Sequence, residues 1–249
     1  MKKIIALMLI LCCVFALFSC GANLDAASSA QLEKINEMLA TSIPTKSETV
    51  TTHTIGNVVL ESTATLVTGR IGGKAVSVYE SVIQELAPVE NDLDHIEETE
   101  EVIWYMEGKG VSDDNGGSWD EEGENFAPKA GSMLLNLKGG SIKEGSYDEA
   151  TETLVLVYDA GGANGVVGAY LEGGEKIESD LKVTIVTNGG SLISIKLEYT
   201  IPAHDIQVDV KSEEDGKEQT TKETITVPEA KVTIEAKYEY DIQTDISLG

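Results

Sequence analysis

Along much of the chain apolar and polar residues alternate one for one, the period of a strand with one dry and one wet face. Ile193, Ile195, Leu197, Tyr199 and Ile201 alternate with Ser194, Lys196, Glu198 and Thr200. Val232, Ile234, Ala236, Tyr238, Tyr240 and Ile242 alternate with Thr233, Glu235, Lys237, Glu239 and Asp241, and Ile206, Val208 and Val210 repeat the theme on a shorter scale. Residues 153–159 are apolar on both faces, which predicts a central strand. Threonine-rich 47–55 reads as an edge strand, followed by strands at 58–68, 74–86, 101–107 and 181–187. Gly56-Asn57, Gly72-Gly73 and Asn188-Gly189-Gly190 mark tight hairpins between them.

Helical spacing is clearest near the start, where Leu32, Ile35 and Leu39 recur with Met38 alongside. Ser28-Ser29-Ala30-Gln31 has capping-box spacing, and Ile43-Pro44 stops the pattern, so one amphipathic helix is expected over 28–41. Residues 131–137 and 163–171 are weaker helical stretches, and polar 108–130 and 211–222 read as exposed loops. The expected fold is mainly β (α+β): a single domain over 28–249, with a large curved antiparallel sheet of about ten strands forming a half-barrel behind the N-terminal helix.

Charge narrows the partners. The 249 residues carry 43 acids against 18 bases, a formal net charge of −25. Nucleic acid is not expected as a partner, because phosphate binding needs Lys/Arg neutralisation; adhesion to anionic lipid through a basic patch is disfavoured likewise. All three cysteines, Cys12, Cys13 and Cys20, fall in the first twenty residues. The rest of the chain therefore has no thiol for a disulfide, a metal site or a nucleophile, and must fold on core burial.

Those twenty residues have their own logic. Lys2 and Lys3 precede an apolar run over 4–18, short for a membrane span and suited to a signal peptide. The run ends at Leu17-Phe18-Ser19-Cys20-Gly21, which resembles the lipobox of bacterial lipoproteins. The resemblance implies cleavage of a signal at 1–19, diacylglycerol on the thiol of Cys20, and a tether over 20–27. It places the domain at the cell membrane, lipid-anchored on the extracytoplasmic face.

No enzyme is expected. His53, His95 and His204 lie far apart, and no G-x-S-x-G motif is present. Gly161-Gly162-Ala163-Asn164-Gly165-Val166-Val167-Gly168 follows an apolar strand, but its G-x-x-G-x-x-G spacing displaces the glycine that dinucleotide binding needs, leaving a loop or lid segment as the expectation. Acids cluster at 90–101 and 113–124. In the second cluster Asp113, Asn115 and Glu124 fall at the first, third and twelfth positions of a calcium loop, while Ser118 occupies the glycine position; a solvated acidic loop is the simpler reading. Trp104 is assigned to the core and Trp119 to the cover of a loop.

An anchored cysteine, a short tether, one amphipathic helix and a long run of antiparallel strands together resemble the LolA-like lipoprotein carriers of the cell envelope. That resemblance lies in element order over 28–243 and implies a sheet that holds acyl chains; Arg70, the only arginine, sits by a turn. It makes a non-enzymatic lipoprotein that binds or carries a hydrophobic ligand such as lipid the leading expectation. The dry-face residues Ile193, Ile195, Leu197, Ile234 and Tyr238 are the candidate ligand contacts. No cofactor is expected beyond the covalent lipid, save calcium at the acidic loop. The alternative is a cell-surface interaction or scaffolding module whose acidic loops meet a cationic partner.

Overall fold

The computed structural model describes residues 24–42, 44–87, 95–114, 116–120, 137, 141–167, 177–214 and 217–240. Helix α1 spans Ala26–Thr41, and the Asp25 carboxylate caps it by accepting from Ser28 N at 2.7 Å. The helix thus begins earlier than the Ser28–Gln31 spacing predicts. Ser28 and Gln31 are instead buried, on the side that packs against the sheet.

The strands are β1 (Lys46–Ile55), β2 (Val58–Ile71), β3 (Lys74–Leu86), β4 (Ile96–Met106), β5 (Gly110–Ser112), β6 (Ile142–Asp148) and β7 (Thr153–Tyr158). A short helix α2 (Ala160–Val167) follows, then β8 (Leu181–Asn188), β9 (Ser191–Ile201), β10 (His204–Glu214), β11 (Lys217–Val227) and β12 (Ala230–Glu239). Ten of them form one antiparallel sheet in the order β5-β4-β3-β2-β1-β12-β9-β8-β7-β6, which is not closed into a barrel. The large antiparallel sheet expected from the alternation is present. Among the described residues, strands β10 and β11 pair only with each other, as a second sheet.

Two polar segments expected as loops contain strands. Residues 211–214 and 217–222 belong to β10 and β11, and β5 lies within 108–130. Both pair with the strand adjacent in sequence, a local contact that needs no apolar face to set its register. At Gly72-Gly73 and Gly189-Gly190 both turn residues have positive φ (57° and 84°; 56° and 86°), the two-residue hairpin geometry that matches strand twist and that glycine adopts without strain.

The sheet buries opposite faces at its two ends. Paired residues share a face, so the register links Leu154, Ile185, Ile195, Ala236, Thr49, Ala64 and Ser81 in one row from β7 to β3. In β6–β9 and β12 this face packs under α1 and α2, in a core that includes Leu32, Ile35, Leu156, Val166, Val183 and Leu197. The other face there is wet and carries Lys196–Glu198 (2.9 Å) and Lys182–Glu198 (3.6 Å) ion pairs. In β3 and β4 that second face becomes the dry one: Val76, Val78, Trp104 and Met106 form a separate buried cluster, with Trp119 packed against it.

Candidate functional site

Four of the five candidate ligand contacts are core residues. Ile195 and Leu197 are fully buried, and Ile234 and Tyr238 are 5% exposed, all within the cluster beneath the helices. Ile193 departs from the simple alternation and is 37% exposed. The β8–β9 register shifts between Val186 and Thr187, so β9 carries one extra residue and Leu192 takes the buried position beside Thr187. A bulge of this kind turns every side chain beyond it to the other face.

The acidic segments also resolve into local structure. Glu97, Glu98, Glu100 and Glu101 lie exposed on β4, where β5 pairs only with Trp104–Met106. Charges on such an edge oppose pairing with another chain. Asp113 is exposed, while Asn115 and Glu124 lie outside the described residues. Asp114 accepts from Ser118 N (2.8 Å), Ser112 Oγ (2.7 Å) and Ser118 Oγ (2.7 Å). These bonds, the Ser118 N–H first, hold its carboxyl well below the usual carboxylate range. Among the described residues no group of three His, Cys, Asp or Glu side chains is arranged to hold a metal ion. Trp119 Nε1 donates to Gly116 O (3.0 Å) and its ring lies 5.2 Å beneath Lys109 Nζ.

The glycine-rich segment forms α2, with Gly168 outside the described residues. Asp159 Oδ1 accepts from Gly162 N at 2.7 Å, placing a carboxylate where a bound phosphate would lie. A Cβ on Gly162 would meet Ser141 O at 2.8 Å, so close backbone packing accounts for that glycine. Asn164 then ties the helix to the next strand through Ile177, donating to its carbonyl (2.8 Å) and accepting from its N–H (3.0 Å).

A cavity of about 480 Å³ opens between α1, the β6–β7 turn and the β8–β9 turn, a size usual for small-ligand sites. Gln31, Lys34, Tyr147, Glu149, Glu152 and Thr187 supply its polar lining. Gln31 Nε2 donates to Thr187 Oγ1 at 3.1 Å, and Thr187 N donates to Glu152 O at 3.0 Å. The Glu152 carboxylate accepts from Gly189 N at 3.1 Å, with Glu152 itself at φ 46°. Burial, and then the nearby Glu152 and Glu149 carboxylates, push the Tyr147 phenol up. Sequence reasoning missed this cavity, since its walls come from three segments with no shared motif.

A second open surface continues the helix-side face across the wing of the sheet. The register aligns Leu66 with Tyr79 and Tyr79 with Ile103, and sets Ser77 beside Tyr105. All of these are half-buried, whereas α1 packs on β6, β7 and β9, and α2 on β7.

Cys20 lies outside the described residues, and among those described no helix is long and apolar enough to cross a membrane. No family model matches the chain, and no curated protein matches it. Among solved structures, it is similar to a DUF1329 family protein from Desulfovibrio piger at 10% identity and a TM-score of 0.26, over 89% of this chain and 99% of that one.

Proposed function

We propose that the protein is a non-enzymatic lipoprotein, anchored through diacylglycerol on Cys20 to the extracytoplasmic face of the cell membrane, that binds or carries a hydrophobic ligand such as lipid. The ligand lies along the helix-side face of β1–β4, not at Ile195, Leu197, Ile234 or Tyr238, whose surface is already spent on the core. One observation carries this placement: the face that is sealed under two helices in one half of the sheet runs on, half-buried and bearing Leu66, Tyr79, Ile103 and Tyr105, in the other. Burying such surface against an acyl chain is favourable at roughly 25 cal/mol per Å².

Native mass spectrometry of the full-length chain tests both parts. The expected result is a lipid mass on Cys20 that Cys20→Ser removes, together with a second, extractable hydrophobic mass that Tyr79→Glu reduces without lowering the melting temperature. A chain that takes up no added lipid, or that loads equally well with Tyr79→Glu, rejects the ligand site.

The exposed glutamates on the open edge of β4 favour a second reading, a surface module that meets a cationic partner, with calcium at the Asp113 loop as a variant of it. Its binding weakens steeply as salt rises, because exposed charges are screened within about 10 Å at 0.1 M; salt-independent binding contradicts it.

A further inference from the structure

We propose that the cavity between α1 and the two hairpin turns is a binding site for a zwitterion, a small group bearing an ammonium and an anion, independently of any ligand on the wing face. The cavity is built on a fixed floor. Gln31 and Thr187 are 7% and 3% exposed, and a continuous chain of bonds joins Gln31 to Thr187, Thr187 to Glu152, and Glu152 to Gly189. Two local departures from regular geometry meet at this floor: the bulge at Val186/Thr187 and the positive φ of Glu152. Both keep the turns where the network requires them.

Charge assigns the ligand class. Glu149, Glu152 and the Tyr147 ring come from the sheet side of the cavity, and Lys34 from the helix side. Glu152 is committed to the floor, whereas neither Glu149 nor Lys34 has a hydrogen bond or ion pair among the described residues. An ammonium suits the side with two carboxylates and an aromatic ring, through ion pairing and cation–π attraction. An anionic group suits Lys34. A ligand carrying one charge alone leaves the opposite wall without a partner.

Two sources offer this chemistry: the phosphoethanolamine head of a membrane lipid, and a soluble zwitterion. The start of α1 at Ala26 favours neither, but it bears on reach. If Cys20 is anchored, five residues separate it from the helix, six Cα steps or about 20 Å at full extension, so headgroups are accessible.

The test uses the full-length chain in maltoside detergent, titrated with O-phosphoethanolamine and followed by isothermal calorimetry. Expected are saturable binding, at least tenfold weaker binding of choline and of inorganic phosphate, and a loss of about tenfold or more in each of Lys34→Ala and Glu149→Gln, as befits one charge-assisted contact. Melting temperatures confirm that both exposed substitutions leave the fold intact. Vesicles of phosphatidylethanolamine then separate the sources: competition with the soluble probe assigns the lipid head, and its absence assigns a soluble ligand. No heat of binding at millimolar probe, equal binding of choline alone or phosphate alone, or affinity unchanged in both variants overturns the proposal.

Discussion

Gln31 and Thr187, 156 positions apart, share a hydrogen bond of 3.1 Å from the amide Nε2 to the hydroxyl Oγ1, in a place where both side chains are buried. It is a polar link between the N-terminal helix and the β8–β9 hairpin, set among apolar contacts. Thr187 also reaches Glu152 O at 3.2 Å, so one hydroxyl connects the helix to two turns.

Thr187→Val removes that hydroxyl while keeping its shape, and leaves the Gln31 amide buried without this partner. A loss of about 1–3 kcal/mol is expected, the usual cost of an unsatisfied buried polar group. Chemical denaturation measures it. The double variant Gln31→Leu with Thr187→Val should recover part of the loss, since neither partner is then stranded.

Gly145 on β6 lies against the side chain of Leu24. A Cβ there would collide with Leu24 Cδ2 and come within 3.0 Å of Leu156 Cδ2. Gly145→Ala is therefore expected to destabilise by about 1–3 kcal/mol, as overpacking does. Adding Leu24→Ala should relieve much of this, and a double-mutant cycle in urea reads the coupling.

The bulge in β9 separates neighbours that alternation alone puts on the wrong faces. Leu197→Ala should cost about 2–5 kcal/mol, the range for a buried leucine, whereas Ile193→Ala should stay within about 0.5 kcal/mol. Equal losses at the two positions would show that Ile193 is also core.

Tyr158 is fully buried and donates from its hydroxyl to Leu137 O at 2.8 Å. Burial pushes its phenol up from the ordinary value near 10. The sign follows from linkage: a raised pKa in the folded state means the neutral form is held there, so stability is intact below about pH 10 and falls as pH rises further, toward the folded-state value. Tyr158→Phe should flatten this alkaline loss while lowering stability near neutrality by about 1 kcal/mol through the lost bond. Unfolding curves between pH 8 and pH 11, buffer values chosen on either side of about pH 10, compare the two chains.

Replacing the exposed Glu97, Glu98, Glu100 and Glu101 by valine converts a charged edge of β4 into an apolar one. Concentration-dependent association is expected, visible by sedimentation velocity, because an uncharged open edge pairs with its like. A chain that remains monomeric would mean that something other than charge guards this edge.

Much of the local grammar of this protein is written in short stretches of the chain. Strand period, hairpin glycines and the amphipathic stripe of Leu32 and Ile35 depend on residues within a few positions of one another, so β1–β3, β7–β9 and α1 are legible with small errors at their ends, although β1, expected at an edge from its threonines, lies inside the sheet between β2 and β12. The helix start shifted because Asp25, not Ser28, offers the cap, and the polar strands β5, β6 and β11 carried no apolar signal to reveal them. What those elements enclose depends on long-range pairing. Pairing β12 between β1 and β9 joins the two halves of the sheet, and the register then places Val78 and Leu197 on opposite faces. That register is set by contacts more than a hundred residues apart, which no local period encodes. The cavity arises for the same reason. Lys34, Glu149 and Thr187 have nothing in common along the chain, and they meet because the apolar faces beneath them have one shared way to pack.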